Sequence, residues 1–195
     1  IAGARPQVQL LEIVPGLDLF LQVEPLGMLF ALIASGLWIV TSVYAIGYMR
    51  GHHEENQTRF FAFFAVAISA ALAAAFSGNM LTLFFSYEVL TLSTYPLVTH
   101  HRTPEALRAG RIYMGILLST SIGLLLFGVL LTYHVAGTLS FIQGGILAGH
   151  ATPLMTGILL FLYAYGTGKA ALMPIHRWLP NAMVAPTPVS ALLHA

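Results

Sequence analysis

The sequence contains no cysteine, which excludes disulfides, thiolate zinc sites, iron–sulfur clusters and cysteine nucleophiles together. Charge is nearly as scarce. Charged residues make up 8% of the 195, where soluble globular domains carry about 25%. So little polar surface cannot wrap a water-facing core, and a soluble enzyme is excluded. Net charge is only +1, eight Lys and Arg against seven Asp and Glu, so the basic footprint that nucleic acid requires is lacking. The opening residues carry no basic stretch and no cleavage pattern, so no signal peptide is expected. Hydrophobic residues are abundant instead, at 57% with a mean hydropathy of +0.82. Those values also exclude disorder, which needs few apolar residues and high net charge. The class is membrane protein, with the lipid bilayer as its surroundings.

Apolar runs of about 20 residues mark transmembrane helices. They predict an all-α, polytopic transmembrane bundle of five full spans, at residues 25–49, 60–77, 79–99, 112–133 and 153–173, with a sixth beginning near Pro186. Residues 1–24, interrupted by Pro15-Gly16 and carrying Glu12, Asp18 and Glu24, read as an extended or hairpin-like segment at the outer membrane surface. Residues 25–195 form the transmembrane domain, and the stop at Ala195 inside an apolar stretch predicts a piece of something longer. Gly137, Gly144, Gly145 and Gly149 predict a loop over 135–151, with a short interfacial helix in it. With alternating spans, one side holds Arg50, Arg59, Arg102, Arg108, Arg111 and Arg177, and the other only Arg5. Basic loops stay in the cytoplasm, so the N-terminal segment is expected outside a multi-pass cell membrane protein.

Two charges fall inside spans. Glu88 lies nine residues into the third and Lys169, the only lysine, about four-fifths along the fifth. A charge at the centre of a membrane helix costs about 2.5–3.5 kcal/mol on insertion scales, and such residues pair, face a bundle interior or mark an ion path. One reading is a structural ion pair between two helices. The other is proton transfer, since a carboxylate and an amine can each bind and release a proton. Counting at about 1.5 Å per residue puts Lys169 roughly 8–11 Å further along the membrane normal than Glu88. Gly166 and Gly168 before the lysine and Pro174 after it predict a broken helix. Freed backbone groups are tolerated in a membrane only against protein or a water-filled cavity, and discontinuous helices recur at transporter ion sites. A phosphate-binding loop is excluded, because Tyr163 stands where its first glycine belongs and Ala170 where Ser or Thr belongs.

There are eight histidines. His52, His53, His100 and His101 fall in cytoplasmic loops, and the adjacent side chains of His52-His53-Glu54-Glu55 diverge, so a solvated loop is expected there rather than a metal site. His134 and His150 lie at the outer surface, not facing each other inside spans as haem ligation requires. His176 and His194 follow the break at Lys169 and are read as helix-end histidines or as steps in proton hopping. No metal, haem or other cofactor is expected.

The segment Ser77-Gly78-Asn79-Met80-Leu81, then Phe84-Phe85-Ser86-Tyr87-Glu88, Leu92 and Tyr95, resembles the Glu-bearing helix of the antiporter-like membrane subunits. These occur in respiratory complex I (NADH:quinone oxidoreductase), in multisubunit Mrp-type cation/proton antiporters and in membrane-bound hydrogenases. Gly168-Lys169 through Pro174, His176, Trp178-Leu179-Pro180, Ala182-Met183 and Ala185 to Ala191, ending at His194, is similar to the family's lysine helix and the segment after it. Tyr48-Met49 and Arg59-Phe60-Phe61 also fit. The resemblance implies a larger fold of about 14 helices with two inverted five-helix repeats, in which these spans are the third to seventh helices. It implies that Glu88 and Lys169 are a pair needed for proton movement, with His194, and more weakly His176, passing the proton on. The implied partners are other membrane subunits of a large complex and protons, with Na+ as a further candidate ion. Any NADH or quinone chemistry belongs to those partners, in a bacterial or archaeal inner membrane. Two competing readings are an inert membrane scaffold with a structural Glu–Lys pair and a stand-alone secondary cation transporter.

Overall fold

The computed structural model describes residues 5–14 and 17–194; the expected break at Pro15-Gly16 and residues 1–4 lie outside them. The chain opens with an antiparallel hairpin, β1 (Gln7–Val14) and β2 (Leu17–Gln22), in which Gln7 faces Gln22 and Glu12 faces Asp18. β2 is tied to the helices. The Phe20 amide donates to Thr82 Oγ1 at 3.1 Å, and Asn79 Nδ2 donates to the Asp18 carbonyl at 2.6 Å. Phe20 lies so close over Gly78 that a Cβ there would stand 2.0 Å from its ring, so any larger residue would have to displace the ring.

Helices follow: α1 (Pro25–Gly51), α2 (Gln57–Ala75), α3 (Met80–Val98), α4 (Pro104–Thr120), α5 (Phe127–Ala136), α6 (Pro153–Gly166), α7 (Trp178–Ala182) and α8 (Thr187–His194). Their starts are written in the sequence. Proline opens α1, α4 and α6, where its missing N–H has no bond to lose. The side chains of Asn79, Thr103 and Thr152 accept from Thr82, Ala106 and Met155 main-chain N–H groups, as N-caps do.

Four helical stretches are long and apolar enough to cross a membrane: Pro25–Gly51, Gln57–Ala75, Met80–Val98 and Pro104–Ala136. The last runs α4 into α5 through a π-helical stretch, Ser121–Leu126. It begins earlier than its hydropathy suggests, so Arg108 and Arg111 ride on exposed helical turns rather than in a loop. In the expected fifth span the helix breaks ahead of Lys169. Its continuous helix, α6, has 14 residues and stops at Gly166, although the apolar run goes on. No helix forms between α5 and α6 among the described residues: Gly137, Gly144, Gly145 and Gly149 all take positive φ, between 70° and 93°, which ends helices rather than continuing them.

Packing between helices uses small residues as well as large ones. Buried Ala45, Ala67, Ala70, Ala106, Ala109 and Ala182 let backbones approach, as membrane interfaces favour. One buried cluster gathers Met49, Phe60, Phe64, Leu97 and Val189, and another Val98, Tyr113, Leu117, Trp178 and Ala182. Most of α1 stays exposed, with Leu26, Leu32, Ile39 and Val43 pointing outward.

The two ends of the bundle differ. At one, β2 pairs through Leu21 with Ser77, and Asn79 bridges to Ser140. At the other, the α1–α2 and α3–α4 connections meet. Arg59 Nη2 donates to the His100 carbonyl at 3.0 Å. Glu54 Oε2 lies 3.6 Å from His100 Nε2 and 3.4 Å from His101 Nδ1. His100 is therefore buried rather than solvated as its loop position suggests, whereas His52 and His53 are exposed.

Candidate functional site

The site begins where α6 fails. Thr167 folds its hydroxyl back onto the Tyr163 and Ala164 carbonyls, at 2.9 and 3.1 Å. A single 3₁₀ turn, Gly168–Ala170, replaces further α-helix. Both flanking glycines are needed for the close approach of the long α4–α5 helix. A Cβ on Gly166 would stand 2.5 Å from the Leu125 main-chain nitrogen, inside the π-helical stretch. A Cβ on Gly168 would stand 2.3 Å from Thr120 Oγ1. The Gly168 carbonyl accepts the Ala171 main-chain N–H at 3.1 Å within that turn and a second bond, at 2.9 Å, from the indole of Trp178, so the broken backbone is satisfied by protein rather than exposed to lipid. Trp178 in turn packs edge-on against Tyr113, whose hydroxyl meets that of Thr94 at 2.5 Å.

This geometry carries Lys169 back to the middle of α3. Its main-chain N–H donates to the Tyr87 hydroxyl at 3.0 Å. Its amine lies 3.8 Å from the centre of the Tyr87 ring, donates to the Tyr87 carbonyl at 3.3 Å and donates to the Thr91 hydroxyl. Tyr87 and Thr91 are the eighth and twelfth of the nineteen residues of α3. The lysine is thus level with Glu88, and the offset expected from counting along an unbroken helix is removed.

Glu88 itself is half-buried, and its Oε1 is buried without a hydrogen-bond partner among the described residues. No ion pair within 4.0 Å joins it to Lys169 among the described residues. The carboxylate and the amine share a level while the amine rests on neutral groups. A cavity of about 560 Å³ adjoins the amine, walled by Trp38, Phe64, Leu90, Tyr113, Trp178 and Leu193 among others. His176 sits in the next 3₁₀ turn, Ile175–Arg177, with Nδ1 buried and unpartnered among the described residues. His194 ends α8, and its side chain lies outside the described residues. His134 and His150 are exposed. Sequence reasoning singled out Glu88 and Lys169 but gave no role to Tyr87, Thr91 or Trp178. The four-residue spacing of Tyr87 and Thr91, which puts both on one face of a helix, was the available signal.

Comparison with known proteins then places the chain. Residues 77–195 match the family model described as "NADH:quinone oxidoreductase/Mrp antiporter, TM", and residues 16–61 match "NADH-Ubiquinone oxidoreductase (complex I), chain 5 N-terminus". The chain belongs to the NADH:quinone oxidoreductase/Mrp antiporter family. Among its relatives in that family, NADH-quinone oxidoreductase subunit L of Escherichia coli (strain K12) is 30% identical over 181 residues, covering 90% of this chain and 29% of that protein. A probable K(+)/H(+) antiporter protein of Rhizobium meliloti (strain 1021) is 30% identical over 186 residues, covering 92% of this chain and 18% of that one. The chain thus spans less than a third of the length of these relatives. In fold it superimposes on a chain of the Mrp complex from Dietzia sp. DQ12-45-1b with a TM-score of 0.81 at 23% identity, covering 97% of this chain and 21% of that one. Family membership and the helices together make it a multi-pass membrane protein.

Proposed function

We propose that this chain is the lysine-bearing part of a proton-translocating, antiporter-like subunit of a multisubunit membrane complex. The observation that carries the reading is the break at Gly166–Gly168, which brings the only lysine to the level of Glu88. Lys169 binds and releases the transferred proton. Glu88 adjusts the charge state of Lys169 through its field. At an effective dielectric of about 20, two unit charges 4 Å apart attract by about 4 kcal/mol, so even a separated carboxylate biases the amine. His176 and His194 are the next carriers. Partner membrane subunits supply any redox chemistry and the ion gradient.

The same reading makes α6 with its broken continuation the fifth span of this chain and α8 the start of the sixth. Both belong to a larger fold of inverted repeats. The residues 1–24 segment lies on the outer side and residues 25–195 in the membrane, that of a bacterium or archaeon. In the intact complex, Lys169→Ala and Glu88→Gln should each suppress proton transport by tenfold or more, about 1.4 kcal/mol of barrier. The double variant should be no worse than the more damaged single one. Lys169→Arg should fail as well, because an arginine does not give up its proton. Normal transport by Lys169→Arg would make the lysine a structural counter-ion and the chain a scaffold.

A further inference from the structure

We propose that Tyr87 and Thr91 form a second docking place for the Lys169 amine, distinct from Glu88 and able to hold it in either protonation state. The inference rests on the proton-handling reading above. Three groups meet the amine, namely the Tyr87 carbonyl, the Thr91 hydroxyl and the Tyr87 ring face. None carries a net charge.

The hydroxyl is the versatile member. Thr91 Oγ1 also lies 3.0 Å from the Tyr87 carbonyl, to which its O–H donates. In that state its lone pairs face an ammonium N–H. An amine that has lost its proton keeps two N–H groups and gains a lone pair. The Thr91 hydroxyl can then rotate and donate to that lone pair, while the Tyr87 carbonyl goes on accepting an amine N–H. A carboxylate lacks this second mode. It only accepts, and it favours the charged amine because a charge-assisted bond is about twice as strong as a neutral one. A neutral resting place beside a charged one gives the amine a partner on each side of its proton change.

Tyr87 has a separate, positioning role. Its hydroxyl accepts the Lys169 main-chain N–H at 3.0 Å, so one residue sets the height of the lysine backbone and, through its ring and carbonyl, the path of the side chain. Buried Ser86, Thr91, Ser93 and Thr94 make this the most hydroxyl-rich stretch of α3, yet Thr91 is the hydroxyl that the amine meets.

The test uses the full-length protein in its assembled complex, in membrane vesicles, with proton flux read by a pH-sensitive dye. Thr91→Val keeps the shape and removes the hydroxyl. It should slow transport by about tenfold, the effect of losing a bond to a charged group. Thr91→Ser should restore transport to within about twofold of the parent. In a Lys169→Ala background, Thr91→Val should change nothing further. Parent-rate transport by Thr91→Val overturns the docking place, and so does equal damage in Thr91→Ser, which keeps the hydroxyl and would assign the effect to packing at this position. If Thr91→Val fails to accumulate, Tyr87→Phe retains ring and carbonyl and removes only the bond to the lysine backbone. It should assemble and transport several-fold more slowly, and a parent rate would overturn the assignment. Full transport by Lys169→Ala alone is a different outcome, since it sinks the proton-handling reading itself.

Discussion

His100 sits where two connections join, at the end of the bundle that holds six of the seven arginines. Its ring meets Phe60 edge-on at 5.4 Å, its carbonyl takes the Arg59 bond, and its Nδ1 is buried without a partner among the described residues. Burial pushes its pKa below the ordinary 6.5, Glu54 pulls it up by less, and His101 and Arg59 press it down further. The sign follows from proton binding. The unfolded chain takes up a proton at His100 more readily than the folded one, so the folded state loses stability as pH falls below 6.5. Above that value the ring is neutral in both states and contributes nothing. The thermal midpoint of the purified protein should therefore drop between about pH 7 and pH 5, and His100→Gln should make the drop smaller. An unchanged slope in His100→Gln would remove His100 from the account. A loop histidine carries no sign of this in sequence. Its burial comes from α2 and the α1–α2 connection packing over it, contacts more than 40 residues apart along the chain.

At the scale of elements, the broken α6 and the π-helical stretch of the long α4–α5 helix are complementary shapes. π-bulges concentrate at functional sites, and here the bulge offers the backbone of Leu125 to Gly166. Backbone cannot swing aside as a side chain can, so Gly166→Ala should overpack the joint by about 1–3 kcal/mol. It should lower both the thermal midpoint and proton transport. Gly157, in the same helix with nothing within 4 Å of its Cβ position, is the control: Gly157→Ala should be neutral or stabilising by up to about 1 kcal/mol. Equal effects of the two alanines would mean that the close approach is unimportant. Much of this element was legible, since Gly166, Gly168 and Pro174 announce a break around Lys169. Its extent was not. The apolar run from Pro153 continues to Met173, and hydropathy alone does not distinguish helix from turn in such a run. For the same reason, counting along a continuous helix placed Lys169 away from Glu88, whereas the turn at Gly168–Ala170 returns it to the level of Tyr87 and Thr91. The hairpin was legible from its interrupted apolar strands. The interfacial helix expected in 135–151 was not there, because four positive-φ glycines dominate its backbone.

For the whole molecule, the question is which end faces the cytoplasm. The hairpin, the turn at Gly78 and the α5–α6 connection share one end through the Leu21–Ser77 and Asn79–Ser140 bridges. Arg59 and Arg102 sit at the other, with Arg108 and Arg177 walling one cleft there between α4 and α7. The end rich in arginine resists translocation and is expected in the cytoplasm. Because the chain has no cysteine, single cysteines report cleanly on this. Gln57 and Thr103 are poor places for them: Gln57 donates to the Glu54 carbonyl at 3.0 Å, and Thr103 caps α4. Thr58 and Gln143 are exposed, and each sits at one of the two ends. In intact cells, an impermeant maleimide added outside should label Thr58→Cys only after the membrane is opened, and Gln143→Cys at once. The reverse pattern would invert the orientation. It would also place Glu54, His100 and His101 on the outer surface.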